Sequence, residues 1–266
     1  MIRNPSFAMH RLRQTGRFRN APQVLWSIAT SRTPLRRDAL RFVMKDGTVI
    51  DTPNQPGARV PIYEVFVEDA YDYDALTEGL RPDLVALDIG GHVGCFSVAL
   101  AKHSREARVH TYEASPVTAQ WLFRNVEQNE LSDRVHPHHS AVAGVTGTLE
   151  FADNGRGSGL NGVTAAQRSG HPTAIATVPA VTFGDAVRAA GGTVDLVKMD
   201  TEGAEYDIVL NSSAEDWETV SRIVLEHHAV PGQDAAELER FLVGAGFEVT
   251  RRESGGTAGI LWLDRR

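Results

Sequence analysis

Four short stretches carry side chains that could do chemistry. In Leu84–Ala99, LVALDIGGHVGCFSVA, an apolar run meets an acid at Asp88. A glycine turn (Gly90, Gly91, Gly94) then leads into Cys95–Lys102, whose apolar spacing suits a helix. In Val109–Pro116, VHTYEASP, a second apolar run ends at Glu113. Two acid-rich stretches follow, Asp200–Glu205 (DTEGAE) and Glu226-His227-His228. The first stretch reads as buried strand, tight turn and helix start. Glycines without a Cβ let backbone approach a ligand, and the free N–H groups of a helix start favour polar or anionic atoms. Carboxylates and histidines at strand ends are the groups that remove a proton from a hydroxyl.

The glycine spacing selects among nucleotide-like cofactors. A dinucleotide fingerprint needs G-x-G-x-x-G, but its first glycine would fall on Ile89, or its second on His92. No Gly-Lys-Ser/Thr follows the turn, so a phosphate-gripping loop is missing too. The pattern that remains, Asp-x-Gly-Gly-x-x-Gly, places a carboxylate at the strand end. That carboxylate repels a pyrophosphate and suits a cofactor with an ammonium and a sulfonium, as S-adenosylmethionine has. Glu113 lies about 20 residues beyond the turn, where α/β nucleotide folds place the acid that binds ribose hydroxyls.

The segments DIGGHVGCFS, YEASP, VPAVTFGDAV and DLVKMDTEGAEYDIVL together resemble the FkbM family of S-adenosylmethionine-dependent methyltransferases, from about Val65 to the C-terminus. Lys198–Glu205, KxDxEGxE, is the most distinctive motif. Two residues depart from the family pattern: His92 stands for a usual asparagine and Gly91 for a usual alanine. The resemblance implies a Rossmann-like class I methyltransferase fold, α/β, with a mostly parallel sheet and a C-terminal antiparallel hairpin. It implies a cofactor site of Asp88, Gly90, Gly91, His92, Gly94, Glu113, Ala114 and Asp200, with Ser140 and Ala141 flanking the adenine. Glu68, Tyr71 or Tyr73, in the run before the catalytic domain, would cover the cofactor. The implied activity is O-methylation of a small-molecule hydroxyl, on a polyketide macrocycle or other natural product, or on a sugar. N- or C-methylation within a peptide, and a non-catalytic cofactor-binding module, are the alternatives.

Methyl transfer from a sulfonium needs in-line alignment and loss of the acceptor's proton. Asp200, ending a core strand, is the first candidate for contact with cofactor or acceptor. His227 or His228 is the candidate general base; strand alternation turns one inward and the other out, and the choice stays open. Asp200, Glu226 and His227 would also satisfy a divalent ion such as magnesium, although no compact ligand spacing supports one. Glu202 and Glu205 fall near a helix start, where a purely structural capping role is the alternative.

These groups need a scaffold, and the chain is long enough for one α/β domain with an extension. Residues 1–64 are read as an arginine-rich arm and small β-hairpin, a lid or homodimer contact; residues 65–266 are read as the methyltransferase domain. The 266 residues are 42% hydrophobic and 23% charged, as in ordinary soluble proteins. A net charge of −7 argues against a nucleic-acid partner. One cysteine, Cys95, fits a reducing cytoplasm, and no apolar run is long enough to span a membrane.

Along the chain the pattern predicts a helix at Pro22–Thr30 and a hairpin of Leu40–Met44 with Thr48–Ile50 around an Asp-Gly turn. A short strand at Val65–Val67 and a helix at Tyr71–Leu80 follow. Ser115 should cap a helix over Pro116–Asn129, with Pro116 at its first position. Arg134–His138 should lead a strand whose His136, His138 and His139 are solvated. Thr148–Phe151 and Ala176–Val181 should pair, flanking a glycine-rich stretch, Asp153–Gly170, read as substrate-facing. A helix at Thr182–Ala190, strands at Val194–Met199 and Ser221–Leu225, and a helix at Gln233–Gly244 come next. Only Arg251–Gly259 separate the last two strands, Phe247–Thr250 and Ile260–Leu263. A parallel crossover needs a dozen or more residues, so that pair must be antiparallel.

Overall fold

The structure, a computed structural model, describes residues 11–153, 174–255 and 258–266. The glycine-rich stretch expected to face the substrate lies outside the described residues from position 154 on. The described residues begin with a helical segment, 11–15, followed by helix α1 (Ala21–Ala29) and an antiparallel hairpin of β1 (Ala39–Val43) and β2 (Val49–Pro53). The hairpin turn is closed by Asp46, whose Oδ1 accepts the Thr48 N–H at 2.9 Å. Helix α2 (Val60–Tyr63) continues as a π-helical turn, Glu64–Glu68. The expected Val65–Val67 strand is therefore wrong. The strand preference of valine gives way to packing context, and a helical path buries Val65 in the core while setting Glu64 and Glu68 over the cavity described below. Helix α3 (Tyr73–Thr77) is shorter than expected, because Asp72 at φ +44° caps its start, accepting the Ala75 N–H at 3.2 Å.

Next come β3 (Val85–Ile89), α4 (Cys95–His103), β4 (Arg108–Glu113), α5 (Pro116–Gln128), β5 (Val135–His139) and β6 (Ala141–Val142). They are followed by β7 (Gly147–Asp153), β8 (Ala174–Val181), α6 (Phe183–Ala189), β9 (Leu196–Met199) and α7 (Glu205–Leu210). The chain ends with β10 (Arg222–His228), α8 (Ala235–Gly244), β11 (Phe247–Gly255) and β12 (Ala258–Arg265). Seven strands form one sheet in the order β11-β12-β10-β9-β3-β4-β5. From β10 to β5 the strands are parallel; β12 is antiparallel to both of its neighbours, as its short connection requires. Strands β6, β7 and β8 make a small separate sheet, in which β7 and β8 pair as expected and run antiparallel.

Alternation along β3 divides the core. Val85, Leu87 and Ile89 face a cluster with Phe183, Trp217 and Leu225, whereas Ala86 faces Phe96, Leu100 and Leu122. The hairpin joins the second group through Phe42, which packs edge-on against Phe18 and Tyr63 with ring centroids 4.9 and 5.9 Å away. The sheet's order reverses between β3 and β9, and at such a switch point the carboxyl ends of parallel strands leave a crevice for a ligand.

Ser115 caps α5 as the sequence predicts: its side chain accepts the Thr118 N–H at 3.2 Å, with Pro116 at the first position. Ser115→Ala should lower stability by about 1 kcal/mol, read by urea denaturation.

Candidate active site

The switch point opens into a cavity of about 820 Å³. Its floor is made by the carboxyl ends of four strands: Gly90 after β3, Glu113 ending β4, Asp200 after β9, and Glu226 in β10. Its roof is the helical strap of Val60, Pro61, Glu64 and Glu68, with Tyr71 beyond it. Tyr71 rests edge-on against Phe96, 5.0 Å between centroids. Tyr73 does not line the cavity; it is buried beneath, beside Phe96. Ala114, Ser140 and Ala141 form one end wall, with Thr118 and Tyr112.

Gly90 is demanded by geometry. Its φ is +84°, and a Cβ there would lie 1.8 Å from the Asp200 carbonyl oxygen, so only glycine lets β3 and β9 run so close at their ends. At Gly91 a Cβ would meet Thr111 Oγ1 at 2.1 Å: the threonine hydroxyl fills the space an alanine methyl would need, which accounts for that departure from the family pattern. His92 adopts φ +49°, a left-handed conformation that histidine and asparagine both tolerate better than most residues. It lines the cavity, and its backbone N–H donates to Glu113 Oε2 at 2.9 Å. The other carboxylate oxygen, Oε1, accepts the Ser115 N–H at 2.7 Å. Burial pushes the Glu113 carboxyl up to about 7, against the pull of these two N–H groups and of Lys198.

Asp88 sits beneath the turn and not on the wall. It is fully buried, its Oδ2 accepting from Ser97 Oγ at 2.6 Å and Thr111 Oγ1 at 3.3 Å, its Oδ1 3.3 Å from Lys198 Nζ. Lys198 also donates to the Gly90 carbonyl at 2.9 Å. Burial works against the Lys198 charge, but Asp88 and Asp200 outweigh it and raise its pKa. The contact expected between Asp88 and the cofactor therefore does not match the geometry: the acid braces the turn from below, because alternation sends its side chain toward α4. Gly94, at φ +89°, opens α4 against Leu122 and is likewise away from the cavity wall.

The strand β10 decides between the histidines. Glu226 and His228 share a face, and His227 takes the other, its ring over Gly259 of β12, where a Cβ would come 2.6 Å from Nε2. His228 Nδ1 lies 2.6 Å from Glu205 Oε1, and its Nε2 lies 3.6 Å from Glu202 and 3.7 Å from Glu226. Asp200, Glu226 and His228 bring ligand atoms within 4.8 Å of one another. The metal set expected with His227 is thus corrected to His228, because ligands two apart on a strand share a face. Burial opposes charge on His228, but the Glu205 hydrogen bond and the surrounding carboxylates raise its pKa. Neither histidine lines the cavity.

Glu64 was missed, and Glu205, read near a helix start with capping as its structural alternative, has a different partner. Glu64 lines the cavity with its pKa raised by burial and by Asp200 and Glu68; its i,i+4 spacing with Glu68 would have shown had the strap been read as helix. Glu205 opens α7 yet caps nothing, since its carboxylate is committed to His228. The expected solvated row of histidines also differs: His138 is half-buried, stacked on Tyr112 at 4.4 Å and 3.2 Å from His110. The described part of the arginine-rich arm docks on its own chain, Arg11 and Gln14 reaching Glu68 at 3.2 and 2.6 Å.

Six carboxylates, of Glu64, Glu68, Glu113, Asp200, Glu202 and Glu226, line the cavity, and among the described residues no lysine or arginine does. Such a cavity suits a ligand carrying positive charge.

The Methyltransferase FkbM domain matches residues 88–249, more than half of the chain. The chain is 26% identical over 243 residues to the 31-O-demethyl-FK506 methyltransferase FkbM of Streptomyces tacrolimicus, covering 81% of this chain and 92% of that one. It is also 26% identical over 220 residues to methyltransferase sdnD of Sordaria araneosa, covering 71% and 81%. Among solved structures, M. jannaschii TYW2 in complex with AdoMet has a TM-score of 0.46 at 14% identity, covering 87% of this chain and 88% of that one. The protein is a methyltransferase, and it belongs to the FkbM family.

Proposed function

We propose that the cavity binds S-adenosylmethionine and transfers its methyl group to a hydroxyl of an uncharged small molecule, a natural product or a sugar. One observation carries this: a cavity walled by carboxylates, without lysine or arginine among the described residues, and floored by the glycine turn and Glu113. A sulfonium and an ammonium are attracted there; a phosphorylated or carboxylated acceptor would be repelled.

Glu113 keeps lone pairs free on both oxygens after accepting two backbone N–H groups, and these take the ribose hydroxyls. Ala114, Ser140 and Ala141 surround the adenine, and Gly90 and His92 lie along the methionine end. Asp200 and Glu226 face the acceptor, where a carboxylate takes the hydroxyl proton as the oxygen attacks the methyl carbon and the C–S bond breaks. The name of the Streptomyces tacrolimicus relative gives an oxygen acceptor, which favours oxygen over nitrogen or carbon here.

The test is incubation with S-adenosylmethionine carrying a 13C-labelled methyl and a panel of neutral polyhydroxylated macrocycles and sugars. Expected are S-adenosylhomocysteine and a product whose labelled methyl has the carbon shift of a methyl ether. A labelled N-methyl or C-methyl product overturns the oxygen assignment; failure of S-adenosylhomocysteine to bind overturns the cofactor.

A further inference from the structure

We infer that Asp200, Glu226 and His228 hold a divalent cation at the cavity floor, with Glu205 as the residue that aims His228 at it. The ion's binding stands on its own geometry; only its role in catalysis rests on the methyl-transfer reading.

The ligands come together through sheet register. Strands β9 and β10 are parallel, with Met199 opposite Leu225, so Asp200 and Glu226, the next residues on each strand, emerge side by side. His228 follows two residues on, on the Glu226 face. Glu226 and His228 share β10, but no sequence spacing brings Asp200 to them, because it follows a different strand, β9. Their ligand atoms lie within 4.8 Å of one another, a separation one ion can bridge. The side chains of Asp200 and Glu226 are each 31% exposed and that of His228 10%, so the ion would keep one protein-backed side and one side open to the cavity.

Glu205 supplies the independent observation. Its carboxylate is fully buried and bonds Nδ1 of His228 at 2.6 Å. A buried carboxylate holding one ring nitrogen fixes the tautomer and leaves Nε2 directed at the ion, the usual arrangement behind a metal-ligating histidine. Two carboxylates balance the ion's charge. With oxygen ligands in the majority, manganese or magnesium fits better than a thiolate-seeking metal.

The open positions would take the acceptor hydroxyl, whose proton the ion's charge helps to release. With the ion bound, Asp200 and Glu226 would be its ligands in place of the proton-accepting role given them above, and the proton would go to solvent water at the cavity mouth. The oxygen forms its bond to the methyl carbon, the C–S bond breaks, and S-adenosylhomocysteine leaves.

Manganese(II) is titrated into the full chain after chelator treatment, followed by calorimetry and by loss of the free-ion electron paramagnetic resonance signal. One equivalent should bind. Glu226→Gln and His228→Ala should weaken it by about tenfold or more, and His227→Ala should leave it unchanged. His228→Ala strips the buried Glu205 of its partner and can unfold the chain, so Glu226→Gln, near-isosteric and part-exposed, decides. Absence of manganese binding at millimolar metal, or equal weakening by His227→Ala, overturns the site. S-adenosylhomocysteine is titrated in parallel without metal: its binding there, with none for manganese, sinks the ion and spares the cofactor reading.

Discussion

Glu113→Gln should weaken S-adenosylmethionine and S-adenosylhomocysteine binding by about 10- to 100-fold, the worth of lost charge-assisted hydrogen bonds in a buried site. The substitution also places an amide NH2 against one of the two backbone N–H groups that now donate to the carboxylate, from His92 and Ser115. The effect should depend on pH in a definite direction. With its carboxyl raised to about 7, Glu113 is partly protonated in the free protein at neutral pH. Ribose hydroxyls donate to the ionised form, so binding lowers that pKa and releases a proton. Affinity should therefore climb by up to about tenfold per pH unit below 7 and level off above it. The groups that face Glu113 are the His92 and Ser115 N–H groups, Lys198 and Asp88, and the Lys198–Asp88 pair is buried and compensated. Calorimetry between about pH 6 and pH 8 in buffers of different ionisation enthalpy reads affinity and proton release together. In Glu113→Gln both should shrink to what Glu226, raised by burial to about 7 in the same cavity, contributes; a wild-type affinity that does not rise with pH counts against Glu113 as the ribose acid.

Lys198→Met should cost about 3–5 kcal/mol of stability, the loss seen when one partner of a buried ion pair is removed. Lys198 is 5% exposed and Asp88 is completely buried. Without the ammonium, Asp88 keeps only the hydroxyls of Ser97 and Thr111, and the Gly90 carbonyl loses its donor. Because that carbonyl belongs to the glycine turn, cofactor affinity should fall along with stability. Asp88→Asn in the Lys198→Met background should recover part of the loss, since it removes the orphaned charge. Urea denaturation of the two single variants and the double variant measures the coupling. Additive single losses would mean that the pair does not act as a unit.

The KxDxEGxE stretch thus has three separable jobs. Its lysine braces the turn, its aspartate faces the cavity, and its last glutamate holds His228. That division could not be read from the motif, because each partner lies on another strand: Asp88 on β3, His228 on β10.

What the sequence determined by itself was whatever depends on neighbours in the chain. The apolar run into DIGGHVG specified strand, turn and helix; Ser115 and Pro116 specified the start of α5; the nine residues Arg251–Gly259 forced the last strands to be antiparallel. Glu113 at a strand end was legible for the same reason. The tertiary structure decided what depends on register between distant strands and on packing. It sent Asp88 beneath the turn, turned His228 and not His227 toward Asp200 and Glu226, and wound Val65–Val67 into a helical strap carrying Glu64 and Glu68 over the cavity. A side chain's period-two alternation is written in the chain, but which of its two faces meets the site depends on the strand it lies beside.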